Sequence, residues 1–231
     1  MHSLKPLAAS LSLALLAASG SIVAAHSLEE VQQDLREREN YFQPIGRAAP
    51  DFTLEDAGGH AVELEDLRGK VVVLHFIYTN CPDVCPLHAE RIAEIQEMVN
   101  RTPIRELVQF VTITTDPAND TPEVMREYGP AHGLGPLNWM FLTSGPDRPE
   151  DTTRNLAERL GHGFTKTEDG YQIHGVVTHV IDREGQWQAN FHGLEFEPTN
   201  LLVYVNALVN DAGTSHAHEP QSFWEALRGW F

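Results

Sequence analysis

Basic residues are scarce in this chain of 231: 16 Lys and Arg stand against 33 Asp and Glu, leaving a formal charge of −17. Proteins that neutralise a phosphate backbone do so with clustered Lys and Arg, so a nucleic-acid partner is excluded. Low-complexity runs are missing too, with no Ser/Gly or Gln/Asn tract and no internal repeat. A composition that is 42% apolar and 21% charged therefore suits one globular unit with a sizeable core rather than a disordered chain. Cysteine is rarer still, with only Cys81 and Cys85 present. No third thiol exists to help close a structural zinc site, which wants four protein ligands.

The one long apolar run outside the body of the chain lies at its start. Met1 to Lys5 give a short basic opening, Leu7 to Ala18 are broken only by Ser10 and Ser12, and Val23-Ala24-Ala25 place small residues before His26. Residues 1–25 read as an export signal, with an uncleaved anchor as the alternative. The run is short and rich in Ser and Ala beside the roughly 20 strongly apolar residues of a membrane span. No Cys stands near the junction, which excludes acylation there. Export places the protein in the periplasm or on the outer side of the inner membrane, with a possible membrane-surface association. Residues 26–45, with the acidic and basic alternation around Arg36, read as a solvated helix or linker, and 46–210 as one domain. The tail, 211–231, carries His216 and His218 and an apolar stripe of Phe223, Trp224, Leu227, Trp230 and Phe231. Metal gathering and docking to a membrane-embedded partner are the sharper readings of these two features. A solvated loop and packing on the protein's own domain are the plainer ones.

In an oxidising compartment the plain reading of two cysteines is a structural disulfide. Closing a ring of about five residues is worth about 2 kcal/mol, against about 4.7 kcal/mol for a 100-residue loop, so as a staple this pair does little. Its setting suggests chemistry instead. Lys70 to Tyr78 is a β-branched and aromatic run that reads as a buried central strand. After Cys85, Leu87, Ile92, Ile95 and Met98 recur at helical spacing and Pro86 suits a first helical turn. Cys85 is then at a helix start, where backbone N–H groups and the dipole favour a thiolate.

Leu107 to Thr115 is a second apolar run, followed by a loop in which Asp120 or Thr121 caps a helix opened by Pro122. Trp139 to Thr143 is a short strand and Glu150 to Leu160 a helix. His174 to Ile181 alternates into Asp182-Arg183-Glu184-Gly185, from which Gln186 to Phe191 returns as a hairpin. Pro198 to Asn210 closes the domain as a helix. This order predicts an α/β fold with a central mixed sheet flanked by helices, parallel where strands and helices alternate and antiparallel at the hairpin.

Three ordered motifs carry a resemblance. Ala49-Pro50-Asp51-Phe52-Thr53-Leu54 and Leu67-Arg68-Gly69-Lys70-Val71 resemble the opening of the thioredoxin-like superfamily. Phe76 to Pro86, ending in CPDVCP, resembles the copper-binding turn of the SCO/SenC family of cytochrome oxidase assembly proteins. Asp116 to Tyr128 resembles that family's second signature, and His174, eleven residues before Gly185, stands where the family has its ligand histidine. The resemblance implies a thioredoxin-like fold whose β-hairpin carries the histidine. It implies one copper ion, Cu(I), Cu(II) or both, held by Cys81, Cys85 and His174. It further implies delivery to the cytochrome c oxidase subunit with a dinuclear copper site, with other copper chaperones or thioredoxin-like reductants as further partners. Soft thiolates select Cu(I), and an added imidazole also suits Cu(II). His75 and His179 are alternative imidazoles, but both lie in apolar runs and read as core histidines. Asn80 stands where relatives often carry His, and is not a ligand. Asp116 has a family-like position supporting the site, although Asp before Pro is also ordinary turn chemistry.

Two functions of different classes stay open: a copper chaperone, and a thiol-disulfide oxidoreductase in which Cys81 and Cys85 reduce the copper-ligand cysteines of the oxidase subunit. A third, a thioredoxin-like peroxidase, would use either thiol with a nearby cation, and Arg91 is the nearest basic residue downstream.

Overall fold

The computed structural model describes residues 27–168 and 170–211; the leader expected over 1–25, and the His216, His218 and aromatic segments, lie outside the described residues. The fold is organised by strand β4 (Val71–Ile77), in which all seven residues are buried. An unbroken apolar strand requires cover on both faces. β4 pairs in parallel with β5 (Val108–Thr114) from Val71↔Val108 to Ile77↔Thr114, and β5 in parallel with β6 (Trp139–Thr143). Helices α2 (Val84–Asn100) and α3 (Pro122–Ala131) connect these parallel strands, and α4 (Thr152–Arg159) follows β6. On the other side of β4 lie β9 (Val177–Ile181), β10 (Gln186–His192) and the edge strand β1 (Phe42–Ala48), all antiparallel. Beyond β6, β2 (Thr53–Asp56) and β3 (Ala61–Glu63) complete eight strands in the order β1-β10-β9-β4-β5-β6-β2-β3. The mixed sheet flanked by helices that the sequence predicts is the sheet that forms, in a thioredoxin-like arrangement.

Alternation along β4 divides the core in two. Val71, Val73 and Ile77 pack with Ile92, Ile95 and Val99 of α2 and with Leu201 and Val205 of α5 (Pro198–Asp211). Val72, Leu74 and Phe76 face the opposite way, onto Leu54, Leu156 and Leu160. The hairpin turn forms as expected: Asp182 Oδ1 accepts from the N–H groups of Glu184 (3.0 Å) and Gln186 (2.7 Å). Gly185 adopts φ +76°, a conformation that costs glycine little.

Three expectations need revision. The segment expected as a solvated helix or linker does form a helix, but a packed one: α1 (Leu28–Arg38) buries Val31 and Leu35 in the first core, and Gln32 donates to the Tyr204 hydroxyl at 3.1 Å. Ser27 and Glu30 form a capping box at its start, so local sequence and tertiary packing agree there. Second, the hairpin does not begin at His174. That residue ends β8 (Gly170–His174), which pairs with β7 (Gly163–Thr167) as a separate two-stranded ribbon, and Gly175 at φ +91° breaks the chain before β9. Third, Leu87 is not on the buried face of α2 but 51% exposed. Its spacing of five from Ile92 turns it well off that face.

Removing the Leu35 side chain tests whether α1 belongs to the folded unit. Leu35→Ala should cost about 2–5 kcal/mol in urea unfolding, as a cavity in a shared core does. An unchanged midpoint would mean that α1 is an appendage.

Candidate metal and thiol site

At the carboxyl end of β4 the chain turns through Tyr78, Thr79 and Asn80, and the Cys81 N–H closes the turn on the Tyr78 carbonyl at 3.1 Å. α2 starts at Val84, but the N-cap residue Asp83 makes no side-chain capping bond. The sulfur of Cys81 fills that role, accepting from the Cys85 N–H at 3.4 Å. A helix start with unpaired N–H groups thus points its donors at a thiol. Cys81 and Cys85 are both buried and both line a cleft of about 230 Å³. Phe76, Tyr78 and His88 form part of its wall, and Gly175 and Val176 close another side.

The two thiols differ electrostatically. Burial pushes the Cys81 thiol up, but hydrogen bonds from the Cys85 thiol, from the N–H groups of Asp83 and Cys85 and from the Tyr78 hydroxyl outweigh it, and its pKa is lowered. Burial and the hydrogen bond to Cys81 both raise that of Cys85. The phenol of Tyr78 is pushed up to about 12, by burial and then by its bond to Cys81, so at neutral pH it stays a donor. The sequence puts the helix-start effect on Cys85. The structure puts it on Cys81, because Cys85 is inside the first turn with its thiol turned toward its partner, whereas Cys81 stands before the turn where the N–H groups converge.

Asp120 holds the turn from below. Its carboxylate accepts from the Thr79 N–H at 3.2 Å and from the hydroxyls of Thr79 and Thr114, and burial raises its pKa. Thr121, not Asp120, caps α3, its hydroxyl accepting from the Val124 N–H. Asp116, the supporting residue expected from sequence, accepts from the Asn119 side chain at 2.8 Å within its own loop, and its charge adds to the raised pKa of Tyr78. The signal for Asp120 was its place just before a Thr-Pro helix start, where the cap is already supplied and the preceding side chain is free to turn inward.

Of the histidines, His75 and His179 are fully buried. His179 is bonded through both ring nitrogens, to His162 and to Asn190, each at 2.8 Å, and His75 through one, to Thr112 at 3.3 Å. Neither lines the cleft. His88, which sequence reasoning did not single out, does, bonded to the Thr178 hydroxyl at 2.9 Å. It is three residues beyond Cys85 and so shares its helix face. Among the described residues no three His, Cys, Asp or Glu side chains gather around one point. The backbone of His174 pairs with Gly163 at the end of the ribbon, immediately before the cleft residues Gly175 and Val176. Its imidazole lies outside the described side chains. Asn80 is exposed, and Arg91 is ion-paired with Glu94 at 2.8 Å.

The asymmetry has a direct readout. With limiting iodoacetamide at pH 7, peptide mass spectrometry should find Cys81 alkylated before Cys85, since a lowered pKa supplies thiolate at that pH and a raised one does not. Preferential labelling of Cys85 would reverse the assignment.

The model of the SCO1/SenC family matches residues 27–210. An SCO2-like protein of Rickettsia felis is 26% identical over 199 residues, covering 84% of this chain and 92% of its own. A protein of Stutzerimonas stutzeri, provisionally named copper-binding, is 32% identical over 135 residues, covering 56% of this chain and 61% of its own. Among solved structures, a SCO1/SenC family lipoprotein from Bacillus anthracis superposes with a TM-score of 0.63 at 26% identity, covering 72% of this chain and 97% of its own. With a family match spanning α1 to α5 and a fold shared with a solved member, the chain belongs to the SCO1/SenC family.

Proposed function

We propose that this protein binds one copper ion through Cys81, Cys85 and His174 and hands it to a respiratory oxidase during assembly, on the outer side of a membrane. The observation that carries the reading is that both thiols line one cleft, and that a wall of this cleft is the chain immediately after His174. The copper-binding name of the Stutzerimonas stutzeri relative supports copper as the cargo, and a solved family member described as a cytochrome c oxidase assembly protein supports that setting. The donor set fits: two thiolates are soft ligands suited to Cu(I), and an imidazole extends the set to Cu(II). Two sulfurs and one nitrogen also leave room for a partner's ligand to enter before these depart. Zinc fits less well, because a closed site would require a fourth protein ligand beyond these three. Export remains part of the proposal; among the described residues no helix is long and apolar enough to cross a membrane.

Each residue of the site has a task in this reading. The N–H of Cys85 and the Tyr78 hydroxyl stabilise the anionic sulfur of Cys81. The carboxylate of Asp120 fixes the turn that aims it. Bending at Gly175 sets the direction in which the ribbon meets the cleft.

The unequal thiols also favour a second reading, reduction of a partner's disulfide. The Cys81 thiolate attacks one partner sulfur and releases the other as a thiolate. Cys85 then loses its proton and attacks the Cys81 sulfur, freeing the second partner thiol and leaving a Cys81–Cys85 disulfide. The partner gains two electrons, and an external dithiol must return them to this protein. Peroxide reduction is not supported: Arg91 is ion-paired with Glu94, and among the described residues no Arg or Lys lines the cleft.

Titration of the reduced protein with Cu(I) and Cu(II) decides the matter. One equivalent per chain, with thiolate-to-copper charge-transfer absorption in the Cu(II) form, should be abolished by Cys81→Ser and weakened by His174→Ala. A reduced wild type that binds no copper would overturn the carrier reading and leave the thiols as a redox pair.

A further inference from the structure

The ribbon β7–β8 has no strand pairing with the main sheet; its two feet are His162, just before β7, and Val176, just after Gly175. The Val176 foot is tied by backbone, its carbonyl accepting from the Gly193 N–H at 2.7 Å. The other foot is tied differently. Gly161, at φ +90°, ends α4, and the His162 N–H returns to the Ala157 carbonyl at 3.0 Å. This turn drives the His162 side chain, 6% exposed, into the second core against Phe76, with ring centroids 5.1 Å apart. Phe76 is itself a wall of the thiol cleft.

The hydrogen bonds there have a fixed direction. The indole N–H of Trp187 can only donate, and it meets Asn190 at 2.8 Å, so the Asn190 atom at that point is the oxygen. The same oxygen meets His179 Nδ1 at 2.8 Å, so that nitrogen carries the hydrogen and His179 Nε2 is a lone pair. His162 Nε2, 2.8 Å away, is therefore the donor, and His162 Nδ1 is bare and has no partner. Asn190 is held in turn by Gln43 of β1 at 3.1 Å. A leucine would fill the same space without burying an unpaired lone pair, so packing alone does not account for an imidazole here. What the imidazole adds is one directed bond from the foot of the ribbon into the middle of β9 and β10.

We propose that His162 is a positioning residue for His174: clamped by His179, which Asn190 holds in turn, it fixes the β7 foot so that the ribbon presents His174 to Cys81 and Cys85. The inference rests on the copper-carrier reading and names what sets the third ligand. His174 pairs with Gly163, the residue next to His162, so a shift of this foot passes directly to the ligand position.

The test is a double-mutant cycle on the full, reduced chain, with Cu(I) affinity read by competition against a chromophoric chelator. His162→Leu should weaken binding about 10–100-fold in the wild-type background, the usual cost of losing a ligand's support. In a His174→Ala background it should change affinity by no more than about twofold, because the ligand it positions is gone. His162→Gln, which keeps an N–H for His179, should bind like the wild type. Should His162→Leu not fold, His179→Phe removes the acceptor while keeping an aromatic ring, and is read in the same cycle. An equal loss in both backgrounds, or no loss in either, overturns the positioning role alone. No copper bound by the wild type, or an affinity unmoved by His174→Ala, overturns the carrier reading and this inference with it.

Discussion

One buried carboxylate decides the shape of the thiol turn. Asp120 is 1% exposed, and its acceptors are used by a peptide N–H and two hydroxyls that come from the ends of two neighbouring parallel strands. Burying such a group without partners is costly, so the Thr79 turn and the loop after β5 must meet where they do. The tie acts on the Cys81 side, and the helix start acts on Cys81 from the other side. The reactivity of one sulfur is thus set by two backbone elements that belong to the central sheet.

Most of the central fold was legible in the sequence because the information was local. Seven consecutive buried positions in each of β4 and β5 leave a run with few polar breaks, and Pro122 after Thr121 marks a helix start by its own chemistry. β2 and β3 were missed because they are short and only partly buried, and β1, though seven residues long, because it buries only Phe42 and holds Pro44, tolerable only at an edge. The ribbon was missed for a related reason: five-residue strands that pair only with each other need no apolar alternation against the main core. Of the site, the two cysteines were evident. Asp120 was visible only as a capping candidate, because its use depends on Thr79, 41 residues earlier in the chain.

The helix-start argument was sound in kind and misplaced by four residues. Sequence position indicates that a thiol is near the N–H groups, but not which sulfur lies in front of them. Cys85 packs with the apolar face of α2, and its own N–H serves Cys81. For a carrier this inequality means that one sulfur is ready as an anion while the other must lose its proton as metal arrives. For a disulfide reductase it assigns attack to one thiol and resolution to the other. The same geometry serves both chemistries.

The separation of the ribbon from the eight-stranded sheet has a consequence for divergence. A residue inserted into β4 or β5 would shift every later side chain to the opposite face and exchange the two cores. A residue inserted near the ribbon's turn lengthens a loop between two fixed feet, at a cost that rises only slowly with length. The thiol side of the cleft is therefore held to a narrow set of sequences by the sheet it ends, while the ribbon side is free to change size and surface. Changes of length and surface thus have room to accumulate on the ribbon without disturbing the sulfurs.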